Sequence, residues 1–334
     1  MLRLALVHLV GDLQEDPERS DQQQQGEEER AAHGGAAQER EGRGAHGTKL
    51  GPRRRAGRRR ARECPAPGRL PAYEGDVRHS SRTLPGPEGA LALSEAGEGG
   101  VPALLVHGGG ADRGHWEPLQ QLLPTRSLAL DLRGMGESAP PADGRYGVEP
   151  AAEDVARVAE ALLPQPFCLV GHSFGAAVAL AYAARHPARL AGLVLVDPAS
   201  DPRHLSAPQR QALHEGLSPG RFRAFTETWF EGLLVHARAT TRARVLGSLR
   251  ATAPAVFAAC LESSLHFDPC AALARYGGPR LALVSEALAG PDSLHLQAAS
   301  RLPHVTLAQV SHWPMLDAPG QVAAQLGRFL QPLG

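Results

Sequence analysis

One stretch constrains the fold of this chain more than any other: a serine between two glycines, with a short apolar run before it and a small-residue segment after it. The apolar run is Phe167 to Val170, the central pattern is Gly171-His172-Ser173-Phe174-Gly175, and Ala176 to Arg185 has the composition of a helix. A strand, a sharp turn and a helix in this order lift the serine hydroxyl clear of a sheet. The glycines two residues before and after it avoid a collision within the turn. The stretch therefore predicts a nucleophile at Ser173, with the Phe174 N–H facing charge that develops during a reaction.

Strand candidates alternate with helical segments through much of the remaining chain. This order predicts an α/β fold with a mainly parallel sheet, because parallel strands need crossover connections. Four of the strand candidates end at polar residues, namely His107, Asp131, Ser173 and Asp197. Functional sites of parallel sheets form at the carboxyl ends of strands, so we expect these four side chains near one edge.

The character of the chain changes along its length. Residues 1–82 carry runs of glutamine, glutamate and arginine with no hydrophobic period, which predicts a disordered tail. Alternatively, the true start codon lies downstream near Val77, and the tail is never made. Residues 83–198 and 279–334 carry the strand pattern and are expected to form the core. Residues 199–278 carry helical patterns instead, and they predict a helical cap over the sheet edge.

Composition narrows the classes of partner and location. The formal net charge is +0 over 334 residues, so we expect neither nucleic acid nor a membrane as a partner, and we interpret the arginine runs of the tail as solvated. Four cysteines without a C-x-x-C pair argue against a disulfide framework and favour a cytoplasmic location. The chain carries no metal-ligand cluster or dinucleotide motif, so we infer no cofactor and no metal. No feature of the sequence indicates the oligomeric state.

Five motifs occur in a fixed order along the chain. They are His107-Gly108-Gly109-Gly110, Asp131-x-Arg133-Gly134-x-Gly136-x-Ser138, Gly171-His172-Ser173-Phe174-Gly175, Leu195-Val196-Asp197-Pro198 and Ser311-His312-Trp313-Pro314. With them, the chain resembles the α/β-hydrolase superfamily over roughly residues 83–334, in its cap-bearing, esterase-like branch. The resemblance implies an α/β-hydrolase fold: an eight-stranded, mostly parallel sheet flanked by helices, with a helical cap inserted after strand 6.

The residues and the resemblance agree on several roles. Ser173 needs a base to become nucleophilic, and His312, placed before the last helix, has suitable acid–base chemistry. The oxyanion donors are the Phe174 N–H and, by resemblance, the Gly109 N–H. By the same resemblance His107 braces the loop that carries Gly109, and Asp131, Arg133 and Gly134 shape the loop after the next strand.

The resemblance also implies a carboxylate that orients His312, and here the sequence leaves alternatives open. The usual acid position after the seventh strand holds Leu288, with Glu286 two residues before it and Asp292 four residues after it. A minority of the family carries the acid directly after the sixth strand, where this chain has Asp197. We prefer Asp197, and Glu286, Asp292 or no acid at all remain as alternatives.

These features favour a serine hydrolase that acts through an acyl-enzyme on a small carboxylic ester or a related acyl compound. The alternative is a non-catalytic protein that binds a small molecule on the same fold, because fold alone does not determine function. The aromatic residues Trp116, Phe174, Trp229 and Trp313 suggest an apolar pocket, although such side chains are equally common in cores. The identity of the substrate is not encoded in any motif.

Overall fold

The computed structural model describes residues 80–290, 293–297 and 302–333 of the chain. Of the tail expected over residues 1–82, only 80–82 fall within this part, and they belong to the first strand rather than to a tail. Asp292, one of the alternative acids, lies outside the described residues.

Eight strands form a single sheet whose order is β1-β2-β4-β3-β5-β6-β7-β8. In chain order the strands are β1 (Ser80–Leu84), β2 (Leu91–Ala96), β3 (Ala103–Val106), β4 (Ser127–Leu130), β5 (Phe167–His172), β6 (Leu190–Val196), β7 (Arg280–Ser285) and β8 (His304–Leu307). The pairs β1–β2 and β2–β4 are antiparallel and the others are parallel. The predicted eight-stranded, mostly parallel sheet is therefore confirmed.

Helices connect the strands and cover both faces of the sheet. They are α1 (Glu117–Gln120), α2 (Val148–Leu162), α3 (Phe174–Arg185), α4 (Ala207–Gly216), α5 (Phe222–Leu233), α6 (Ala239–Ala251), α7 (Pro254–His266), α8 (Pro269–Ala274), α9 (Leu294–Gln297), α10 (Pro314–Asp317) and α11 (Pro319–Leu330). Strands β3, β4 and β5 are buried along their whole length, which explains why they read as continuous apolar runs. Successive residues of a strand enter opposite core layers: Leu104 packs with α2 and α3, and Leu105 packs with α1 and α11.

The segment between β6 and β7 is helical, in the region where the sequence predicts an inserted cap. Helices α5 and α7 carry aromatic and aliphatic side chains that reach the carboxyl end of the sheet. Helix α8 behaves differently, because it packs against α3 on the face of the sheet. The cap expected over residues 199–278 therefore includes one helix, α8, that packs with the core. In the described part of the chain no single helix is long and apolar enough to cross a membrane, and the bent pair α6 and α7 satisfies that criterion by length and composition only.

A buried ion pair anchors the loop after β4 to helix α2. Arg133 donates to both carboxylate oxygens of Asp154 at 2.5 and 2.9 Å, and the two side chains are almost fully buried. Arg133 also donates to the backbone oxygen of Arg145 at 3.1 Å. Gly134 follows with a φ of 70°, and a Cβ there would collide with the ring of Tyr146. These contacts give Arg133 and Gly134 a role in loop shape.

We expect Asp154→Ala to lower the free energy of unfolding by about 3–5 kcal/mol, because it leaves the buried guanidinium of Arg133 without its carboxylate. The neighbouring substitution Glu153→Ala is a matched control, since Glu153 pairs with Arg145 on the exposed side of α2. Urea unfolding of the wild type and both variants measures the difference. Equal midpoints for Asp154→Ala and Glu153→Ala would show that the buried pair contributes no more than a surface pair.

Candidate active site

The turn between β5 and α3 holds Ser173 in an unusual backbone conformation. Its φ is 51° and its ψ is −113°, outside the regions that L-residues favour. A Cβ on Gly171 would overlap the carbonyl oxygen of Gly175, and a Cβ on Gly175 would overlap those of Val106 and His107. Only glycine fits at either position, which is the steric requirement expected from the sequence. Backbone strain of this kind persists where the surroundings enforce it, as they do at functional sites.

The structure brings His312 and Asp197 together from distant parts of the chain. His312 Nδ1 lies 2.8 Å from Asp197 Oδ2, and both side chains are buried. Asp197 directly follows β6, and its N–H donates to Leu283 of β7 at 2.7 Å. Because a carboxylate can only accept, the Nδ1–H of His312 is the donor of this hydrogen bond. Both Ser173 and His312 line one cavity.

Two further hydrogen bonds hold the Asp197 carboxylate. The N–H of Ser285 donates to Oδ1 at 2.9 Å, and the Ser285 hydroxyl donates to Oδ2 at 2.8 Å. Ser285 is the last residue of β7, so it stands on the strand after which most relatives were expected to place their acid. Sequence analysis missed Ser285, because a serine at a strand end carries no distinguishing pattern.

The alternative acid Glu286 is not brought to His312. It begins a short 3₁₀ helix after β7 and its side chain is exposed. Of the acids considered, Asp197 is the one whose carboxylate contacts the histidine in the described part of the chain.

His172, the residue before Ser173, supports the loop that carries His312. Its Nε2 lies 2.7 Å from the backbone oxygen of His312, so Nε2–H donates to that oxygen. The two rings also pack with centroids 4.7 Å apart. Burial holds the pKa of His172 well below its usual value, and the ring is therefore neutral. Sequence analysis treated His172 only as a variable position of the glycine–serine pattern.

The loop after β3 runs beside Ser173 and is braced by His107. His107 Nε2 accepts the N–H of Leu132 at 3.0 Å, so its Nδ1–H donates to Gly108 O at 2.8 Å. Burial lowers the pKa of His107, which keeps the ring in this neutral bracing role. A Cβ on Gly108 would lie 3.2 Å from the Cβ of Ser173, so the loop passes directly beside the serine.

Two residues with candidate N–H donors lie at this cavity. Phe174 is the first residue of α3, where an N–H has no acceptor within its own helix. Gly109 lines the same cavity as Ser173. These are the two residues expected to donate to an oxyanion, and the structure places both at the cavity that Ser173 lines.

The cavity over Ser173 is mostly apolar. Its empty volume is about 610 Å³, which includes its opening to solvent. Its larger apolar lining residues come from α3, α5, α7 and the His312 loop: Phe174, Trp229, Phe230, Leu233, Phe257, Leu261 and Trp313. Of the aromatic residues expected at a pocket, Trp116 is the exception, because it packs edge-on against His172 at 6.4 Å and lies in the core. A ligand of this cavity contacts mainly hydrocarbon surface.

A small acidic cluster lies outside this cavity. Asp201, Asp268 and Cys270 place potential metal ligands within 4.8 Å of one another. Arg203 forms ion pairs with both carboxylates, at 2.5 Å to Asp201 and 2.6 Å to Asp268. The Arg203 guanidinium balances the negative charge of the two carboxylates. We therefore interpret the cluster as an ion-pair network.

Comparison with protein families gives a match over most of the described chain. The model of the alpha/beta hydrolase family matches residues 103–325. Among solved structures, the chain is similar to a thermophilic esterase from Thermogutta terrifontis, with a TM-score of 0.65 and 24% identity over 76% of this chain and 99% of that one. At this identity the likeness shows the fold alone.

Curated relatives match over shorter segments. A 2-hydroxymuconate semialdehyde hydrolase of Pseudomonas putida is 40% identical over 111 residues, which are 31% of this chain and 38% of that protein. An esterase of Mycobacterium tuberculosis is 36% identical over 126 residues, covering 36% of this chain and 42% of the relative. The matched segments thus span less than half of these relatives' length.

Proposed function

The chain belongs to the alpha/beta hydrolase family, and on that premise we propose that it is a serine hydrolase acting on small carboxylic esters or related acyl compounds. The observation that carries the proposal is the buried 2.8 Å contact between His312 Nδ1 and Asp197 Oδ2, in a histidine that shares one cavity with Ser173. A histidine held in this tautomer is the base that a serine nucleophile needs.

In the proposed reaction, Ser173 Oγ attacks the substrate carbonyl carbon while His312 Nε2 takes the hydroxyl proton. The carbonyl oxygen becomes an oxyanion and accepts from the Phe174 and Gly109 N–H groups. As the tetrahedral intermediate collapses, the bond to the leaving group breaks and His312 returns the proton to it. Water, deprotonated by His312, then attacks the acyl carbon. As this second intermediate collapses, the bond to Ser173 Oγ breaks and His312 returns the proton to Oγ, which releases the acid and the free serine. Asp197 holds the Nδ1–H and stabilises the imidazolium at each stage.

The lining of the cavity supports an apolar acyl or alcohol group. Trp229, Phe257 and Leu261 present hydrocarbon surface above Ser173, and burying such a group favours binding by about 25 cal/mol per Å². The names of the relatives, a semialdehyde hydrolase and an esterase, agree with carbonyl substrates of this kind. Within that range, a carboxylic ester is the simplest substrate that the proposed machinery accepts.

We also propose a cytoplasmic location. Cys168, Cys260 and Cys270 are free, as expected of a reducing compartment. Burial raises the pKa of Cys168 and Cys260 to about 12, so these two thiols are protonated and unreactive. Fractionation of the native host with an antibody against the chain tests this location.

The experiment for the enzymatic proposal is the intact mass of the protein after exposure to a fluorophosphonate, which reports an activated serine without knowledge of the substrate. We expect one adduct on the wild type and none on Ser173→Ala. Ser264→Ala is a matched control, because Ser264 lines the same cavity but donates its hydroxyl to the backbone oxygen of Cys260 at 2.9 Å. That variant is expected to keep the adduct.

If the folded wild-type protein takes no fluorophosphonate adduct, Ser173 is not an activated serine. The non-catalytic binding protein would then become the favoured function, and calorimetric titration with small apolar acids and esters would be the measurement to pursue.

A further inference from the structure

A second apolar cavity lies beside the active-site cavity. Its empty volume is about 340 Å³, openings included. Helix α3 contributes Ala177 and Leu180, the loop after β6 contributes Pro198, and Phe267 closes it at the end of α7. This cavity takes no part in the chemistry proposed above, and hydrocarbon is the class of ligand that its lining accepts.

Three residues line both cavities and therefore form the wall between them: Phe174, Ala199 and Ser264. Ala199 is small, and the Ser264 hydroxyl donates to the backbone oxygen of Cys260 in α7. Phe174 is the one bulky side chain of this wall, and it is 8% exposed. The separation of the two cavities therefore depends on a single aromatic ring.

The Phe174 ring lies next to the place where an acyl group would be attached. Phe174 follows Ser173 in the chain, and its Cβ lies 3.8 Å from the place that a Cβ on Gly109 would occupy. The first atoms of an acyl group on Ser173 are therefore attached to the residue that precedes Phe174. A chain that grows away from Ser173 toward α3 meets the Phe174 side chain before it can enter the second cavity.

We infer that the Phe174 side chain determines the length of the acyl group that this protein accepts, by closing the active-site cavity off from the second apolar cavity. The inference rests on the proposed function. It assigns short, compact apolar acyl groups to the wild type, and it assigns the second cavity to the distal methylenes of a longer chain once the ring is removed. Phe174 is thus a specificity residue through its side chain, separately from the role of its N–H.

The test is the ratio of kcat/KM for the p-nitrophenyl ester of octanoic acid to that of butanoic acid, compared between wild type and Phe174→Ala. A ratio within one protein cancels any general change in catalysis. We expect the ratio to rise by up to about 250-fold, because octanoate carries four more methylenes than butanoate and each buried methylene is worth roughly fourfold in binding. Phe174→Leu, which keeps the wall partly filled, is expected to give an intermediate ratio and serves if the alanine variant fails to fold.

A second substitution checks that the added chain occupies the second cavity. Ala177 lines that cavity only, so Ala177→Phe in the Phe174→Ala background refills it from helix α3. We expect this double variant to return the ratio to within about threefold of the wild-type value. A ratio that stays high in the double variant would show that the longer chain lies elsewhere and would overturn the assignment of the cavity.

The outcomes separate this inference from the proposed function. If fluorophosphonate labels wild-type Ser173 but the ratio of Phe174→Ala and of Phe174→Leu stays within about twofold of the wild type, the serine hydrolase stands and the role of the Phe174 side chain is refuted. If folded wild type takes no label, the proposed function fails and the inference fails with it.

Discussion

Replacing Ser173 with alanine is expected to lower kcat for p-nitrophenyl butanoate by roughly 10⁵-fold or more, to the level that the oxyanion donors and binding alone support. The reason is that the variant has no atom at position 173 that can form the acyl-enzyme. His312 would remain beside Asp197, but it would have no hydroxyl to deprotonate. Stopped assays at high enzyme concentration can measure the residual rate.

The Ser173→Ala variant is suited to this measurement because the substitution leaves the turn almost unchanged. Alanine keeps the Cβ, and it takes the same positive φ of 51° under the same constraint from Gly171 and Gly175. Thermal unfolding should therefore be close to that of the wild type. A folded Ser173→Ala variant that retains more than about a tenth of the activity would exclude Ser173 as the nucleophile.

The second large effect is expected from Asp197→Asn, with a fall in kcat of roughly 10⁴-fold. The asparagine side chain is nearly isosteric but neutral, so it no longer stabilises the imidazolium that forms on His312. Its amide can also present N–H instead of oxygen to Nδ1, which favours the wrong tautomer of the histidine. Steady-state kinetics at saturating ester separate this loss of kcat from any change in KM.

Glu286→Gln is the matched control for Asp197→Asn. The two substitutions make the same chemical change, from carboxylate to amide, but the Glu286 side chain is exposed after β7 while Asp197 is buried against His312. We expect Glu286→Gln to keep activity within about twofold of the wild type. The reverse ranking of these two variants would transfer the role of the acid to Glu286.

The hydrolase fold and the turn that carries Ser173 could be predicted from the sequence because the signals are local. Apolar runs predicted the buried strands, and the glycines around Ser173 follow from contacts within a few residues of the turn. The five motifs add their order along the chain, which suffices to identify the family. Boundaries were less accurate: the first strand begins at Ser80 rather than after residue 82, and α8 packs with the core rather than with the expected cap.

The choice among the candidate acids depended on tertiary structure, because the distance from His312 is set by neighbouring strands rather than by sequence spacing. The parallel pairing of β6 with β7 places Asp197 against Ser285, and the loop after β8 brings His312 to the same carboxylate. His172 and Ser285 gained their contacts in the same way, from partners 140 and 88 residues away.

The sequence by itself determined the class of fold and the turn that presents Ser173, since both follow from short-range sterics and periodicity. The order of the motifs along the chain also singled out His312 before the last helix. Only the tertiary structure decided which carboxylate meets His312 and which side chain separates the two cavities. Those features depend on how side chains from distant elements fill a shared volume, and packing of that kind leaves no periodic trace along the chain.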